Sequence, residues 1–290
     1  MSIQTLLPLL LKISIVLCVF GLGLTASLRD TGYLFRQPRK LFRALLAMGV
    51  LMPVFAVAMV LIFDLHPAVE IALVALSVSP IPPLLPRKAL KAGGTGQYTI
   101  GLLTAAGLVA IVWVPMTTVI FAHLFGIPLQ LTVASTALVI FITVLGPMAL
   151  GMVVHTLAPP LAKRLAKPIW LVGTILLVVC AVPALFASMP QILTLIGNGT
   201  LLALVAFVVL GLAIGHLLGG EDISDRTVLA LSTATRHPGV AIAIAHANFP
   251  QQKLALPAVV LYLLVSVIVS LPYLSWTKRH HPSAASEEKA

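Results

Sequence analysis

Two adjacent ionisable side chains lie in the middle of a hydrophobic segment of this sequence. Arg236 and His237 are near the centre of residues 228–247, a stretch about as long as a helix that crosses a bilayer. An ionisable group at that depth is costly and usually faces a cavity or a partner. Because a guanidinium can bind an anionic group through two parallel hydrogen bonds, Arg236 is a candidate anion-binding residue. The alternative is that Arg236 binds backbone carbonyls.

The neighbouring residues indicate that the helix is interrupted at this pair. Pro238 has no backbone N–H, and Ser232 and Thr235 add hydroxyl groups just before it. Broken helices of this kind build substrate sites in secondary transporters. We therefore predict a substrate-binding site here, with His237 neutral, because burial and the neighbouring charge disfavour its protonation. The alternative is a proline-kinked helix with a purely structural role.

The composition indicates the class of protein. Of 290 residues, 60% are hydrophobic and 9% are charged, whereas soluble domains have about 25% charged residues. The sequence therefore predicts an all-α polytopic membrane protein in a lipid bilayer. We attribute the net charge of +10 to basic cytoplasmic loops rather than to nucleic-acid binding. The histidines and cysteines show no metal-ligand spacing and the common hydrolase motifs do not occur, so we expect no metal, no cofactor and no enzymatic activity.

Hydropathy predicts about nine membrane-spanning helices within one transporter domain, residues 1–277. Loops are expected at 158–168 and 219–226, and the polar residues 278–290 are expected to form a disordered cytoplasmic tail. The basic loops share one side if the N-terminus is outside and the C-terminus is in the cytoplasm, which predicts a multi-pass protein of the inner (plasma) membrane. The predicted spans are 6–28, 41–63, 68–92, 98–124, 129–157, 169–189, 201–218, 228–247 and 254–276.

A second proline-rich interruption occurs in span three. Pro80, Pro82, Pro83 and Pro86 cannot all belong to a regular helix, and we place the break at 84–86. Span three is the third helix of spans one to four, and span eight is the third helix of spans six to nine. The two breaks therefore lie at matching positions. This match predicts inverted repeats of spans one to four and six to nine, and it marks the two breaks as the site of a transporter. Prolines are tolerated in membrane helices, so coincidence is the alternative.

Residues near the second break are further candidates for the same site. Pro86 lies at the break itself. Arg87 and Lys88 follow it, and they either extend the positive lining or mark the cytoplasmic mouth of the site. Thr99 and Thr104 on span four can contribute oxygen atoms, unless their hydroxyls bond to carbonyls of their own helix.

Three short motifs are similar to those of a known transporter family. Residues 21–25 (Gly-Leu-Gly-Leu-Thr) are similar to Gly-Met-Gly-Leu-Thr, residues 52–53 (Met-Pro) repeat a hydrophobic Met before Pro, and residues 239–246 are similar to an Asn-Ser-Gly-Leu-Ala segment and its Ala-rich helix. In these motifs the chain resembles the bile acid:sodium symporter family over most of its length. The resemblance implies the nine-helix form of that fold, with a panel domain, a core domain and two broken helices that cross at their breaks.

The same resemblance shows where the chain departs from the family's sodium-binding motifs. In span eight, Ser232, Arg236 and His237 occupy the positions of a Glu, a Gln and an Asn. Sodium prefers several hard oxygen ligands, ideally with a carboxylate, so these replacements predict that the family's sodium sites are not used. The other replacements are residues 81–82 (Ile-Pro) for two glycines, residues 85–86 (Leu-Pro) for Ser-Asn, and Met48 for a Gln.

We therefore expect a secondary-active transporter that moves a small organic anion by alternating access. The alternatives are a non-transporting membrane sensor or partner protein on the same scaffold, and a sodium-coupled symporter with substituted ligands. An intramembrane enzyme is a third. Proton coupling through His237, uncoupled exchange and the oligomeric state are left open by the sequence.

Overall fold

A computed structural model describes residues 3–82, 84–126 and 133–280, and all regular structure in these residues is helical. The predicted all-α fold is confirmed. Counting each broken helix once, the described residues form nine helical spans. They are α1 (Ile3–Gly23), α2 (Pro38–Ile62), α3a (Pro67–Val78) with α3b (Leu85–Lys91), α4 (Gly96–Phe125), α5 (133–157), α6 (Pro159–Leu195), α7 (Thr200–Leu218), α8a (Ile223–Ala234) with α8b (Pro238–Asn248), and α9 (Ala255–His280).

Seven of these segments are long and apolar enough to cross a membrane. They belong to α2, α4, α5, α6, α7, the whole of α8, and α9. The apolar stretch Leu9–Gly23 of α1 and the half-helix α3a are shorter. This pattern confirms a polytopic membrane protein, in which two of the nine predicted spans are represented by shorter apolar helices.

Three predicted boundaries are wrong. The expected loop 158–168 is the start of α6, because Pro159 fits the first turn of a helix, where its missing N–H costs nothing. The expected loop 219–226 ends earlier, at Asp222, whose side chain accepts the Ser224 N–H and caps α8a. The side-chain hydrogen bond from Ser224 lowers the pKa of Asp222. At the other end, α9 continues to His280, so the proposed tail begins later than 278, and residues 281–290 lie outside the described part.

The break in span three is also placed differently from the prediction. Helix α3a ends at Val78, and α3b begins at Leu85, so the interruption is at 79–84 rather than at 84–86. Pro86 lies in the first turn of α3b, a position that suits proline. Earlier prolines end the helix because they cannot donate the backbone hydrogen bonds that would continue it. In span eight the break falls at 235–237, as predicted.

The helices form two packed groups. Helix α1 packs against α5 and α6, and these three helices are the smaller group. Helix α3a packs against α2, α8b and α9, while α7 packs against α8a and α9, which joins the remaining helices in a larger group. Contacts between α6 and α9 and between α4 and α5 connect the two groups.

Glycines bring some of these helices unusually close together. Gly211 and Gly215 of α7, and Gly219 directly after it, are spaced four residues apart and lie against α8a. A Cβ atom at Gly215 would lie 2.5 Å from the Cα atom of Ala230. In the smaller group, a Cβ atom on Gly151 of α5 would lie 2.5 Å from the carbonyl oxygen of Phe20 on α1. Only glycine permits backbones to approach this closely.

Candidate functional site

The two broken spans touch each other at their interruptions. The backbone N–H of His237, in the break of α8, donates to the carbonyl oxygen of Pro80, in the break of α3, at 2.9 Å. The predicted contact between the two breaks is therefore present. Backbone groups that are free in one break are satisfied by the other, as the membrane interior requires of every buried polar backbone group.

Arg236 joins this contact to a third helix. Its side chain is 2% exposed. The guanidinium donates from Nη1 to the carbonyl oxygen of Ser79 at 3.1 Å and from Nη2 to that of Met48, on α2, at 2.8 Å. Two of the three guanidinium nitrogens therefore bind free backbone carbonyls, which is the alternative interpretation of Arg236.

Prolines explain why both carbonyls are available. The carbonyl of Ser79 would normally accept from the N–H three or four residues on, but both of those residues are prolines. Residues Leu46–Leu51 form a π-helical turn, in which the Met52 N–H donates to Ala47 instead of to Met48. The next residue, Pro53, has no N–H. The carbonyl of Met48 is therefore left for Arg236.

The same arrangement occurs at the end of α8a. Pro238, four residues after Ala234, cannot donate to its carbonyl. Tyr262 on α9 donates its hydroxyl to that oxygen at 2.7 Å, and Ser266 lies 3.4 Å from it. The sequence interpretation missed Tyr262, although a tyrosine in the apolar middle of a predicted span indicates a buried hydroxyl that needs a partner.

Three consecutive residues at the break keep polar atoms that have no hydrogen-bond partner in the described part of the chain. They are Thr235 Oγ1, Arg236 Nε and His237 Nε2, and all three atoms are buried. The Nδ1 atom of His237 accepts the Val240 N–H at 3.3 Å, so a neutral imidazole carries its proton on Nε2. The arginine and histidine atoms are therefore hydrogen-bond donors, and the threonine hydroxyl can act as one.

The other predicted site residues lie in different surroundings. Ser232 is buried in α8a, and Pro238 begins α8b. The guanidinium carbon of Arg87 lies 3.7 Å from the ring centroid of Trp170 on α6, so Arg87 faces the smaller helix group rather than Arg236. Lys88 is half-buried.

The hydroxyls of Thr99 and Thr104 are used within their own helix. Thr99 donates to the carbonyl of Thr95 at 2.6 Å, and Thr104 donates to that of Ile100 at 2.9 Å. Thr104 also lies 3.9 Å from the sulfur of Met148. Their contacts agree with the alternative that the sequence left open for them, in which each hydroxyl bonds to its own helix.

Two cavities lie close to the end of α3a, whose last residue is Val78. One, of about 240 Å³, is next to the breaks and is lined by Arg236, Ser79 and Pro80 together with parts of α2 and α4. The other, of about 330 Å³, extends from Val78 towards Glu70 and Asn248. Val78 lines both cavities.

A buried ion pair was missed by the sequence interpretation. Asp225 is 2% exposed, and the amino group of Lys40 lies 2.6 Å from its carboxylate. Lys40 also donates to the hydroxyl of Tyr33 at 3.0 Å, and Thr95 donates to Asp225 at 3.4 Å. The sequence does contain a pattern that places Asp225 in a helix. Asp222 is followed three residues later by an acidic residue, which is typical of the start of a helix. Within the described ranges, no group of three potential metal-binding side chains lies together.

Comparison with known proteins agrees with this architecture. The sequence profile described as "Sodium Bile acid symporter family" matches residues 12–195, more than half of the chain. The chain belongs to this family. The "Uncharacterized sodium-dependent transporter YocS" of Bacillus subtilis (strain 168) is 25% identical over 289 residues, which cover 96% of this chain and 86% of the relative. The resemblance noted in the short motifs is therefore confirmed, and the protein is a multi-pass membrane member of a transporter family.

Proposed function

We propose that this protein is a secondary-active transporter that moves a small organic anion by alternating access. The family and the two adjoining breaks support transport. The observation that carries the choice of an anion is the set of unpartnered buried atoms at Thr235, Arg236 and His237. Two of these atoms carry N–H groups and the third belongs to a hydroxyl, so the natural complement is a hydrogen-bond acceptor.

Charge supports the same proposal. Arg236 carries a full positive charge, and its two protein contacts are neutral carbonyl oxygens. None of the described residues that line the adjacent cavity is acidic. A buried cation that lacks a counter-charge is costly, so a carboxylate or sulfonate on the ligand would complete the pairing. The cavity walls are mainly apolar, which suits an anion with an apolar body.

We further propose that the family's sodium sites are not used. Ser232 and Arg236 replace a Glu and a Gln of the family's motif, so the site has lost a carboxylate and gained a cation. The guanidinium also occupies two carbonyl oxygens, the hard ligands that a sodium ion would need. Coulomb repulsion from Arg236 opposes a second cation nearby.

The second candidate is sodium-coupled transport with substituted ligands, which the name of the B. subtilis relative favours. Substrate uptake into liposomes with sodium or choline outside separates the two candidates. The proposal predicts equal uptake. A steep sodium dependence that is lost in Ser232→Ala or Thr235→Val would favour the second candidate.

The two helix groups provide the moving parts that alternating access needs. We propose that α1, α5 and α6 form the panel and that the other helices form the core, within one domain that includes α9 up to His280. The orientation proposed from the basic loops places the N-terminus outside and the C-terminus in the cytoplasm of the inner membrane. A reporter that is active only outside the cytoplasm, fused after Ala290, is expected to be inactive, and activity there would overturn this orientation.

The central experiment combines uptake with an anion-binding screen. Purified protein in liposomes should accumulate an organic anion, whereas a sensor or partner protein on the same scaffold would bind without uptake. The same screen on Arg236→Gln, which keeps the shape and removes the charge, should lose the anion, and Arg236→Lys should retain part of the affinity. If Arg236→Gln folds and binds the same anion equally well, Arg236 is structural and the proposed function fails.

A further inference from the structure

Helix α4 contributes one residue with a polar group to the wall of the cavity next to the breaks. Its walls come from α2, the break of α3, and α4, and Trp113 lines it on the α4 side. The indole Nε1 of Trp113 is buried and, like Arg236 Nε, has no hydrogen-bond partner among the described residues. Trp113 plays no part in the contacts between the breaks described above.

The hydrogen-bonding groups around this cavity are unbalanced. The carbonyl oxygens of Ser79 and Pro80 are already used, by the Arg236 guanidinium and the His237 N–H respectively. The two N–H groups of Trp113 and Arg236 remain. Both residues line the cavity, so its wall contains a cationic side chain and two residues with buried N–H groups for which the described residues supply no acceptor.

Helix α2 brings the two donors to the same turn. Met48 accepts from Arg236 at 2.8 Å. The next residue is Gly49, and a Cβ atom there would lie 3.2 Å from the Nε1 and Cε2 atoms of Trp113. Glycine at this position thus gives the indole room to lie against α2 beside the carbonyl that Arg236 binds.

We propose that this cavity binds the carboxylate or sulfonate group of an amphipathic anion, with Trp113 and Arg236 as its two donors. The inference rests on the proposed function and adds a residue and a place to it. The apolar body of the ligand would lie along Phe42, Leu46 and Val109, which line the same cavity. Two sources offer this chemistry, a water-soluble aromatic carboxylate or a fatty acid from the bilayer. Phe42 is 66% exposed, so one wall of the cavity reaches the outer surface of the helices.

The fluorescence of Trp113 provides a direct test of binding. The three tryptophans are reduced to one in the double variant Trp170→Phe/Trp276→Phe. Titration of this full-length protein in detergent with benzoate, and separately with dodecanoate, should give a saturable change in emission with at least one of the two. Saturation by benzoate identifies a soluble source, and saturation by dodecanoate alone identifies a lipid source. No saturable change with either probe overturns the inference.

Two variants test the role of the indole. Trp113→Phe removes the N–H and keeps an aromatic ring, and it should weaken binding of the same probe about tenfold, measured by ligand-induced thermal stabilisation. Gly49→Ala keeps the indole but displaces it, and it should weaken binding as well. Trp170→Phe is the matched control and should bind like the unmodified protein. If Trp113→Phe does not fold, the result with Gly49→Ala decides.

The outcomes separate this inference from the proposed function. Uptake of an organic anion that is unchanged in both Trp113→Phe and Gly49→Ala would overturn the inference and leave the transport proposal intact. Binding that depends on Trp113 without uptake into liposomes would support the inference and contradict transport.

Discussion

The guanidinium of Arg236 and the carbonyl oxygen of Met48 lie 2.8 Å apart because a proline follows five residues after Met48. The π-helical turn directs the Met52 N–H to Ala47, and Pro53 has no N–H to offer. The arginine of one broken helix and the proline of another helix are thus complementary. This relationship makes a prediction that neither residue makes alone.

Pro53→Ala should stabilise the protein far more when Arg236 is absent. The new N–H would compete with Arg236 for Met48 in the native protein, but in Arg236→Gln it would satisfy an otherwise unpaired carbonyl. The expected coupling in a double-mutant cycle is about 0.5–3 kcal/mol, measured by thermal unfolding. The control is Pro272→Ala in the exposed part of α9, which should have the same effect in both backgrounds. Additive effects of Pro53→Ala and Arg236→Gln would contradict the explanation.

Tyr262→Phe should destabilise the junction of α8a and α9. It removes the hydroxyl that donates to Ala234 at 2.7 Å and leaves a buried carbonyl that Pro238 cannot satisfy. The expected loss is about 1–3 kcal/mol in the free energy of unfolding, reduced to the extent that Ser266 takes over. Tyr262→Phe/Ser266→Ala should therefore lose more than the single variant, and denaturation in detergent measures both. Equal stability of all three proteins would show that the hydrogen bond contributes nothing.

Removal of Lys40 from its ion pair with Asp225 should reduce the free energy of unfolding more than removal of Asp225. Lys40→Met leaves a carboxylate that is 3% exposed with only the weak contact from Thr95, and we expect a loss of about 3–5 kcal/mol. Asp225→Asn leaves a lysine that is 32% exposed and can turn to solvent, so its loss should be smaller. Thermal unfolding of both variants checks the order, which a reversed result would refute.

Gly215→Ala should prevent normal packing of α7 against α8a. The added Cβ atom would lie 2.5 Å from backbone atoms of Leu229 and Ala230, which cannot move aside as a flexible side chain can. Gly96→Ala is the matched control, because a Cβ atom there meets nothing within 4 Å. Size-exclusion chromatography should show monodisperse Gly96→Ala and little folded Gly215→Ala. Normal elution of both variants would count against the close backbone contact.

The capping of α8a should depend on pH. The hydrogen bonds from Ser224 lower the pKa of Asp222 in the folded protein, so its contribution to stability is present above the ordinary carboxyl pKa of about 4 and is lost as the pH falls through the lowered folded value. Wild type should therefore exceed Asp222→Asn in melting temperature near neutral pH, and the difference should shrink on acidification. A difference that grows as the pH falls would mean that the shift has the opposite sign.

Sequence patterns predicted the parts of the structure that depend on composition and on single prolines. Long apolar runs gave nine spans, and the break before Pro238 was located correctly because one proline follows a short polar run. The break in span three was misplaced because four nearby prolines fit several positions, and Pro86 suits the first turn of a helix equally well. Proline alone does not reveal on which side of it a helix ends.

The partners of the site residues could not be predicted in the same way. Arg236 was identified from its cost in a membrane, but its contacts are backbone carbonyls, which every residue has and no motif marks. The contribution of α2 depends on a π-helical turn, whose extra residue has no sequence signature. Trp113 reaches the cavity, and Tyr262 reaches the end of α8a, only through tertiary packing, so their roles depend on how the helices are placed.

Close glycine contacts distinguish the interior of each helix group from the boundary between the groups. Among the described residues, each glycine contact closer than 3.4 Å between two spans joins helices of the same group, as Gly151 does for α5 and α1. Where α4 of one group meets α5 of the other, a Cβ atom at Gly107 would lie 3.4 Å from Leu145, an ordinary distance. Backbones that interlock resist sliding, whereas side chains at ordinary distances can exchange neighbours by small shear displacements. In a transport cycle that moves one group against the other, side chains at the boundary such as Leu145 would change neighbours, whereas the glycine contacts within each group would stay intact.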